Sequence, residues 1–358
     1  MKRILLLPVL ALAMAFGASA QKHATPDGAK RQFQVFGVAF YNLENLFDTI
    51  NNNGKYDFEF SPEGSYRWDG KKYRAKLDKL GYAISQMTTK TTPEGPAVIG
   101  MSEIENITVM EDLVNNTYIR ERGYKIVHHD SPDRRGVDVG LIYNPRFFRV
   151  LNTTNHTLAI PELPDFRTRD QMCVVGLLGN KIAGYSRVAV IVNHWPSRRG
   201  GEKESSWLRE AAASLTRHIC DSLYKVDPKM GVVVMGDLND DPFNKSVSQI
   251  LGAVRNVKNT KDGGFYNPFW EKLDKGIGSY IYRGGWNLFD QIIVNKNLVD
   301  GACGVKYLGA EVLNKQFLIQ QDGQYKGYPL RNFASGVWKD GYSDHLPTEI
   351  FVVREVEE

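Results

Sequence analysis

Short runs of apolar, often β-branched residues alternate along the chain with longer segments whose apolar residues recur every three or four positions. The short runs predict buried strands, and the longer periodicity predicts amphipathic helices that lie on a sheet. The pattern predicts strands at 33–40, 97–101, 124–127, 137–143, 188–192, 232–235, 288–294 and 349–353, and helices at 73–87, 110–122 and 202–224. It predicts short antiparallel strands within 148–183, a surface loop at 48–70, a loop at 253–287 and irregular structure at 300–340.

The spacing of these elements limits the fold class. Strands and helices alternate as in α/β proteins, but several neighbouring strands are too close in sequence for a crossover helix and must pair antiparallel. This favours mixed sheets packed face to face, with helices outside, over a doubly wound fold. We see no internal repeat and no linker after residue 33, so a single domain is predicted for 33–358.

Several of the predicted strands end in polar side chains. The same residue types also form ordinary turns and helix N-caps, so one such end indicates little. Here the pattern recurs along the chain, which predicts a shared functional site. The polar ends are Asn42, Glu103, His194, the turn Gly236-Asp237-Leu238-Asn239, and Ser343-Asp344-His345 near the C-terminus.

The first 20 residues have the order of a secretory signal peptide. Met1-Lys2-Arg3 is basic, 4–16 is mostly apolar, and Ala18-Ser19-Ala20 supplies small residues before Gln21. The apolar run is short for a membrane span, so an anchor is the less favoured alternative, and no transmembrane segment is expected elsewhere. The expectation is a secreted or periplasmic protein with a flexible lead-in at 21–32.

The composition of the chain excludes some classes of protein. The chain has 358 residues, 42% of them apolar, which suffices for a substantial core, and its formal net charge is only +4. That balance excludes a strongly basic nucleic-acid coat and permits a local cationic cleft. Three cysteines, Cys173, Cys220 and Cys303, are too few for a disulfide scaffold; one bridge plus a thiol, or three thiols, are both open. We expect a monomer.

The candidate site residues indicate a particular kind of metal. Carboxylate and amide oxygens dominate, and no cysteine or histidine cluster has zinc-ligand spacing. Such hard ligands favour Mg²⁺ or Mn²⁺, which act as Lewis acids on phosphoryl oxygens. The oxygen donors are Asn42, Glu103, Asp237, Asn239 and Asp344.

Two histidines and two arginine pairs complete the candidate chemistry. His194 and His345 could transfer protons, because imidazole titrates closest to neutral pH. Arg134-Arg135 and Arg198-Arg199 could clamp a phosphate, although either pair could also form a solvated basic turn. No Gly-x-Ser-x-Gly elbow, Walker loop or dinucleotide fingerprint is present, which argues against serine hydrolases, NTPases and dehydrogenases.

Taken in order, these residues resemble a known family. From about residue 33 to about 353 the chain is similar to the endonuclease/exonuclease/phosphatase family, the metal-dependent phosphodiesterases related to deoxyribonuclease I. The resemblance implies a four-layer α/β sandwich of two packed mixed sheets, with the site at one edge. It rests on Asn42, Glu103, Asp138, His194, Gly236-Asp237-Leu238-Asn239, Asp290 and Ser343-Asp344-His345.

The resemblance also implies roles for these residues. Glu103 would be the principal metal ligand, with Asn42 and Asp344 completing the metal and phosphate environment. Asp237 and Asn239 would orient the attacking water and the scissile phosphate, which Arg135 and Arg198 would also contact. Asp290 would hold His345, and Asp138 or alternatively Glu105 would pair with His194. Which histidine donates and which accepts the proton is left unassigned.

The implied activity is in-line attack of water on a phosphate ester, with no covalent intermediate. A nuclease-like phosphodiesterase is the favoured interpretation; phosphomonoester hydrolysis, a sphingomyelinase-like enzyme and an inositol-phosphate phosphoesterase are alternatives. Trp195, Phe265, Trp270 and Trp286 could stack nucleic-acid bases or could belong to loop cores. A binding protein without catalytic activity on the same fold is a further alternative, which the full set of acids disfavours.

Overall fold

The computed structural model describes residues 32–51, 56–282 and 284–356. The predicted signal peptide and all but the last residue of the predicted lead-in lie outside these ranges. Gln32, assigned to the lead-in by its polarity, instead begins a strand because it pairs with Val356 of the last strand. Within the described ranges, no helix has both the length and the apolar character needed to cross a membrane.

The chain forms two large sheets, two small hairpins and five α-helices in its described part. The helices are α1 Gly70–Ser85, α2 Ile107–Val114, α3 Glu202–Val226, α4 Phe269–Asp274 and α5 Lys296–Asp300. The strands are β1 Gln32–Leu46, β2 Val98–Ile104, β3 Lys125–His128, β4 Asp138–Tyr143, β5 Phe148–His156, β6 Gln171–Asn180, β7 Gly184–His194, β8 Gly231–Asp237, β9 Ala253–Val254, β10 Phe265–Tyr266, β11 Tyr280–Tyr282, β12 Gly285–Asn287, β13 Asp290–Asn295, β14 Lys306–Val312, β15 Phe333–Ala334, β16 Val337–Trp338 and β17 Thr348–Val356.

Both large sheets are mixed. The first has the order β14-β17-β1-β2-β4-β3 and the second β5-β6-β7-β8-β13-β10-β9. In each sheet a central pair is parallel, β1 with β2 and β7 with β8, because α1 and α3 provide the crossovers. The strands flanking these pairs run antiparallel to them.

Alternating side chains of the central strands divide the core into layers. In β1, Val38 and Phe40 pack between the two sheets, whereas Ala39 and Tyr41 face α1 and α2. On β8, Val233 faces the space between the sheets and its neighbours face α3. This two-residue alternation produces helix, sheet, sheet and helix layers. The predicted four-layer α/β sandwich is confirmed.

Some local predictions were wrong. Helix α2 begins at Ile107, where Asn106 caps it by accepting a bond from the Val109 amide, and it ends at Val114 instead of continuing to residue 122. The segment 300–340 contains β14, which pairs with β17 at the sheet edge and shows only weak alternation. The segment 48–70 was predicted to be a surface loop, but it is partly buried, because its Trp68 is only 1% exposed. For the cysteines, of the two alternatives left open by the sequence, the structure has the one with three free thiols, Cys173, Cys220 and Cys303.

One buried carboxyl group in the sheet has a consequence for stability. Glu349 on β17 is 3% exposed, lies opposite Glu311 of β14, and its Oε1 has no hydrogen-bond partner among the described residues. Burial and then Glu311 raise the pKa of Glu349 well above its usual range. The carboxyl oxygen lies against Gly37 of β1, where a Cβ would be 2.0 Å from it.

The Glu349→Gln variant should therefore be more stable than the wild type at high pH. A folded-state pKa above the unfolded value gives stability that is present below the unfolded pKa and lost as pH rises through the folded one. Each unit of that shift corresponds to about 1.4 kcal/mol. Urea unfolding at pH 4.5 and pH 8 tests this, with exposed Glu162→Gln as the control; an equal advantage of Glu349→Gln at both pH values would contradict it.

Candidate active site

The polar strand ends predicted from sequence meet at one edge of the two sheets. In the second sheet, Asp237 at the end of β8 lies between His194 at the end of β7 and Asp290 at the start of the antiparallel β13. In the first sheet, Asn42 and Glu103 lie near the carboxyl ends of the parallel strands β1 and β2. Because parallel carboxyl ends and antiparallel amino ends share an edge, distant sequence positions converge.

The backbone at this edge is irregular in a way that aims the side chains. The register between β1 and β2 shifts after Asn42, and that between β2 and β4 shifts around Glu103. Glu44, Asn45, Glu103 and Asn239 have φ between 48° and 60°, although none is glycine. Bulges and strained residues of this kind concentrate at functional sites, because they turn a side chain out of the sheet's alternation.

These residues surround a cleft of about 350 Å³. Its wall brings together nine of the residues predicted from sequence: Glu103, Arg135, His194, Arg198, Arg199, Asp237, Asn239, Asp344 and His345. Two more lie directly behind the wall. Asn42 donates from Nδ2 to Asp237 Oδ2 at 3.0 Å, and Asp290 lies behind His345.

On one side of the cleft, His345 is held as a cation. Its Nδ1 lies 2.7 Å from Asp290 Oδ2, and its Nε2 is 3.8 Å from Asp237 Oδ2. Burial alone would lower the pKa of His345, but Asp290 and Asp237 raise it well above its usual range. Tyr280 stacks on the imidazole with ring centroids 4.7 Å apart, which fixes the ring plane.

On the other side, His194 is held neutral. Its Nε2 is 3.6 Å from Asp237 Oδ2 and 3.8 Å from Glu103 Oε1, and its Nδ1 has no partner among the described residues. Burial, followed by Arg169 and Arg135, lowers the pKa of His194 well below its usual range. The two imidazoles therefore have opposite proton affinities.

Asp237 lies between the two histidines. Asn42 and the Asn239 amide, at 2.9 Å from Oδ1, hold its two carboxylate oxygens. Burial raises the pKa of Asp237 to about 6, so the group is mostly ionised at neutral pH and still basic enough to take a proton.

The predicted pairing of Asp138 with His194 is wrong. Asp138 Oδ2 lies 3.0 Å from His128 Nε2, and its Oδ1 accepts bonds from the amide and hydroxyl of Ser131. Both oxygens are thus occupied in a turn outside the cleft wall. Glu105, the alternative partner, accepts a bond from the Asp48 amide. His194 is positioned instead by Arg169, which donates to its carbonyl oxygen.

The four arginines predicted to clamp a phosphate differ in whether their guanidinium groups are available to bind an anion. Arg135 Nη2 lies 3.6 Å from Glu103 Oε1, and the side chain is 43% exposed, so it can turn toward an anion. Arg198 donates to the Asn239 carbonyl and to Asp240, Asp241 and Asn244, which makes it mainly a brace for the Asp237–Asp241 turn. Arg134 donates to the Asp165 carbonyl and is absent from the cleft wall, whereas Arg199 is exposed and lines it.

Sequence reasoning missed several residues at the site. Arg331 donates from Nε to Glu44 at 3.0 Å and lies 2.9 Å from Asp344 through Nη2, yet it belongs to a segment without a periodic pattern. Tyr280, Tyr282 and Phe289 line the cleft. Of these residues, only Phe289 could have been identified from sequence, because it directly precedes the candidate residue Asp290.

Two of the aromatic residues considered for base stacking are unavailable for it. Trp195 is 1% exposed and Phe265 is fully buried, and both pack in the core under α3. Trp286 is partly buried against the core of the first sheet. Trp270 is half-buried and does not line the cleft.

The donor chemistry fits a hard divalent cation. Glu103 and Asp344 present half-buried carboxylates to the cleft, and Mg²⁺ is commonly held by one or two carboxylates plus water and phosphate. Among the described residues, two groups bring three acid or histidine ligand atoms within 4.8 Å, Asp237-Asp290-His345 and His128-Asp130-Asp138. In the first group, His345 Nδ1 is hydrogen-bonded to Asp290 at 2.7 Å, so this nitrogen is already occupied, and His345 Nε2 lies 3.8 Å from Asp237.

Several solved structures have a similar fold over most of this chain. ANGEL2, described as a 2′,3′-cyclic phosphatase, is 15% identical with a TM-score of 0.54, over 91% of this chain and 98% of its own. A Bacteroides thetaiotaomicron mannosyl-6-phosphatase is 14% identical with a TM-score of 0.53, over 88% of this chain and 99% of its own. D. rerio TDP2 complexed with single-strand DNA product is 14% identical with a TM-score of 0.51, over 89% of this chain and 98% of its own. At such identities these structures share the fold alone.

No curated protein matches the sequence. The model of the Endonuclease/Exonuclease/phosphatase family matches residues 37–354. This range contains both large sheets almost completely, together with every residue of the cleft wall. The chain therefore belongs to the endonuclease/exonuclease/phosphatase family.

Proposed function

We propose that the protein is a divalent-metal-dependent phosphoesterase that hydrolyses a phosphodiester or phosphomonoester by in-line attack of water. The observation that carries this proposal is the cleft itself. There Glu103, His194, Asp237 and His345 form a chain in which each side chain lies within 4 Å of the next, and Arg135 and Arg199 line the same wall. Carboxylates, two imidazoles of opposite proton affinity and guanidinium groups that can turn toward an anion are what phosphoryl transfer requires.

Each residue has a role that its contacts support. Asn42 and Asn239 orient Asp237, whose carboxylate is placed to align a water molecule and accept its proton. His345 holds a proton at Nε2, where it can hydrogen-bond a phosphate oxygen, and His194 offers a neutral imidazole opposite. Bound at Glu103 and Asp344, Mg²⁺ or Mn²⁺ would supply Lewis-acid stabilisation of charge on the phosphoryl oxygens.

The proposal also covers the substrate of the enzyme and its cellular location. A nuclease-like phosphodiesterase is kept as the first candidate, although the burial of Trp195 and Phe265 removes two side chains that could have stacked bases. The signal-like sequence at 1–20 supports a secreted or periplasmic enzyme. A binding protein without activity is disfavoured, because it would not require a buried Asp237 between two imidazoles of opposite proton affinity.

Chelation is the direct test. Activity on bis-p-nitrophenyl phosphate should disappear in excess EDTA and return with Mg²⁺ or Mn²⁺, because the carboxylates of Glu103 and Asp344 are the kind of ligand that these ions prefer. A panel of plasmid DNA, RNA, sphingomyelin, inositol phosphates and hexose phosphates then ranks the substrates by kcat/KM. Full activity in EDTA would refute metal dependence, and no hydrolysis of any ester with either metal would refute the enzyme assignment.

A further inference from the structure

A second hollow continues from the cleft along the same surface. It has a volume of about 120 Å³, and its wall includes Gln320, Tyr325, Tyr328 and Arg331. Tyr280 and Asp344 line both this hollow and the cleft. We call it the annex. A molecule whose phosphate lies in the cleft can therefore extend past Asp344 into the annex without leaving the protein surface.

The annex is built before any ligand arrives. The Gln320 amide donates to the Tyr328 carbonyl at 2.8 Å, and the Gly327 amide donates back to the Gln320 carbonyl at 2.9 Å. The Leu330 amide donates to the Leu318 carbonyl at 2.7 Å and continues this ladder. These bonds hold Gln320 and Tyr328 at fixed positions, so binding there requires little additional ordering of the chain.

The charge of the annex is balanced. Arg331 is paired with Glu44 at 3.0 Å and with Asp344 at 2.9 Å through Nε and Nη2, and its Nη1 takes part in neither contact. One guanidinium between two carboxylates does not favour a second phosphate. The cleft, by contrast, has Arg135 and Arg199 on its wall. The phosphate is therefore expected in the cleft and a neutral group in the annex.

The lining groups are suited to hydroxyls. Tyr and Gln side chains both donate and accept, Arg331 Nη1 donates and Asp344 accepts, while Ile281, Pro329 and Ala334 supply the apolar part of the wall against which a ring can lie. A hydroxyl group does both as well, so a ring with several hydroxyls can pair with this mixed wall. Tyr280 is already stacked against His345 and Phe289, and Tyr325 meets Tyr328 at 69°, an edge-to-face contact. Tyr280 is therefore already engaged by two other rings and is a poor platform for a base.

The size of the annex limits its occupant. At about 120 Å³ the annex is roughly a third of the size of the cleft, at about 350 Å³, so it suits one ring attached to the ester better than a run of nucleotides. We propose that the annex binds the hydroxyl-rich ring, sugar or cyclitol, of a phosphate ester whose phosphate lies in the cleft. This inference rests on the proposed phosphoesterase function and specifies its substrate class.

Kinetics of annex variants test the inference. Tyr328→Phe and Gln320→Leu should each raise KM about tenfold for glucose 6-phosphate or myo-inositol 1-phosphate and change kcat less than threefold. KM for p-nitrophenyl phosphate, which has no ring hydroxyls, should stay the same. Tyr185→Phe, far along β7 from the cleft, is the matched control, and thermal unfolding checks that every variant is folded. The ester with the larger change in KM distinguishes a sugar from a cyclitol.

Other outcomes overturn the inference. Unchanged KM for both ring phosphates in an active enzyme would remove the annex as a binding site. A rise in KM for a dinucleotide but not for the ring phosphates would assign it to nucleic acid. If the wild type hydrolyses no ester, the proposed function fails, and calorimetric titration with myo-inositol 1-phosphate decides the annex separately. Binding that Tyr328→Phe and Gln320→Leu weaken would then support it, and equal or absent binding would refute it.

Discussion

Replacing His345 by alanine should lower kcat by about 10²- to 10⁴-fold while leaving the protein folded, because the change removes a proton-transfer group from the cleft. The imidazole is 6% exposed and is charged through Asp290 and Asp237. Its backbone amide bonds to Ser343, a contact that alanine retains. Steady-state kinetics on bis-p-nitrophenyl phosphate at saturating Mg²⁺, with circular dichroism and thermal unfolding, measure both parts of the expectation.

A matched histidine serves as the control. His218 lies exposed on α3 and has no place in the cleft, so His218→Ala should keep the wild-type kcat. Asp290→Asn should reproduce most of the loss, because it removes the carboxylate that holds the charge on His345. A folded His345→Ala protein with unchanged turnover would eliminate the assignment of this residue to proton transfer.

Replacing Glu103 by glutamine should lower kcat/KM at least about 100-fold and raise the Mg²⁺ concentration needed for half-maximal activity. The substitution removes one negative charge from the cleft, and losing even an outer partner of a bound metal costs about 10- to 100-fold in affinity or activity. Glutamine keeps an oxygen that can accept the bond from the Asn45 amide, so the turn is preserved.

Two measurements distinguish the loss of a metal ligand at Glu103 from a general loss of activity. Calorimetric titration of Mn²⁺ should show weaker binding by Glu103→Gln than by the wild type, and exposed Glu111→Gln on α2 should bind as the wild type does. If Glu103→Gln binds Mn²⁺ with unchanged affinity, Glu103 is not the principal ligand. Its contact with Arg135 would then account for any loss of activity.

The central strands could be predicted because their burial on both faces requires continuous apolar runs. In β8 the apolar run from Val232 to Met235 stops at Gly236, where φ is 153° and a Cβ would lie 2.1 Å from the Asn193 carbonyl oxygen. Only glycine fits there, so the strand and the turn that follows are both visible in sequence. By contrast, the edge strand β14 is half-exposed along most of its length and has no comparable run.

The partners of the site residues could not be predicted from local pattern. Asp138 and His194 are both polar residues at strand ends, but the turn at Ser131 brings His128 to Asp138 and leaves His194 Nδ1 without a partner. Likewise, Arg331 reaches Glu44 across 287 positions of sequence. Such pairings depend on how loops pack against one another, which no periodicity encodes.

The sequence by itself determined the class of the fold and the set of groups at the sheet edge, since hydrophobic periodicity is a local property and polar residues that end buried strands stand out against it. The tertiary structure alone decided which side chains meet, which imidazole is charged, and that Trp195 and Phe265 belong to the core. The physical reason is that proton affinity and exposure depend on burial and on charges brought close by folding, and neither quantity exists before the two sheets pack.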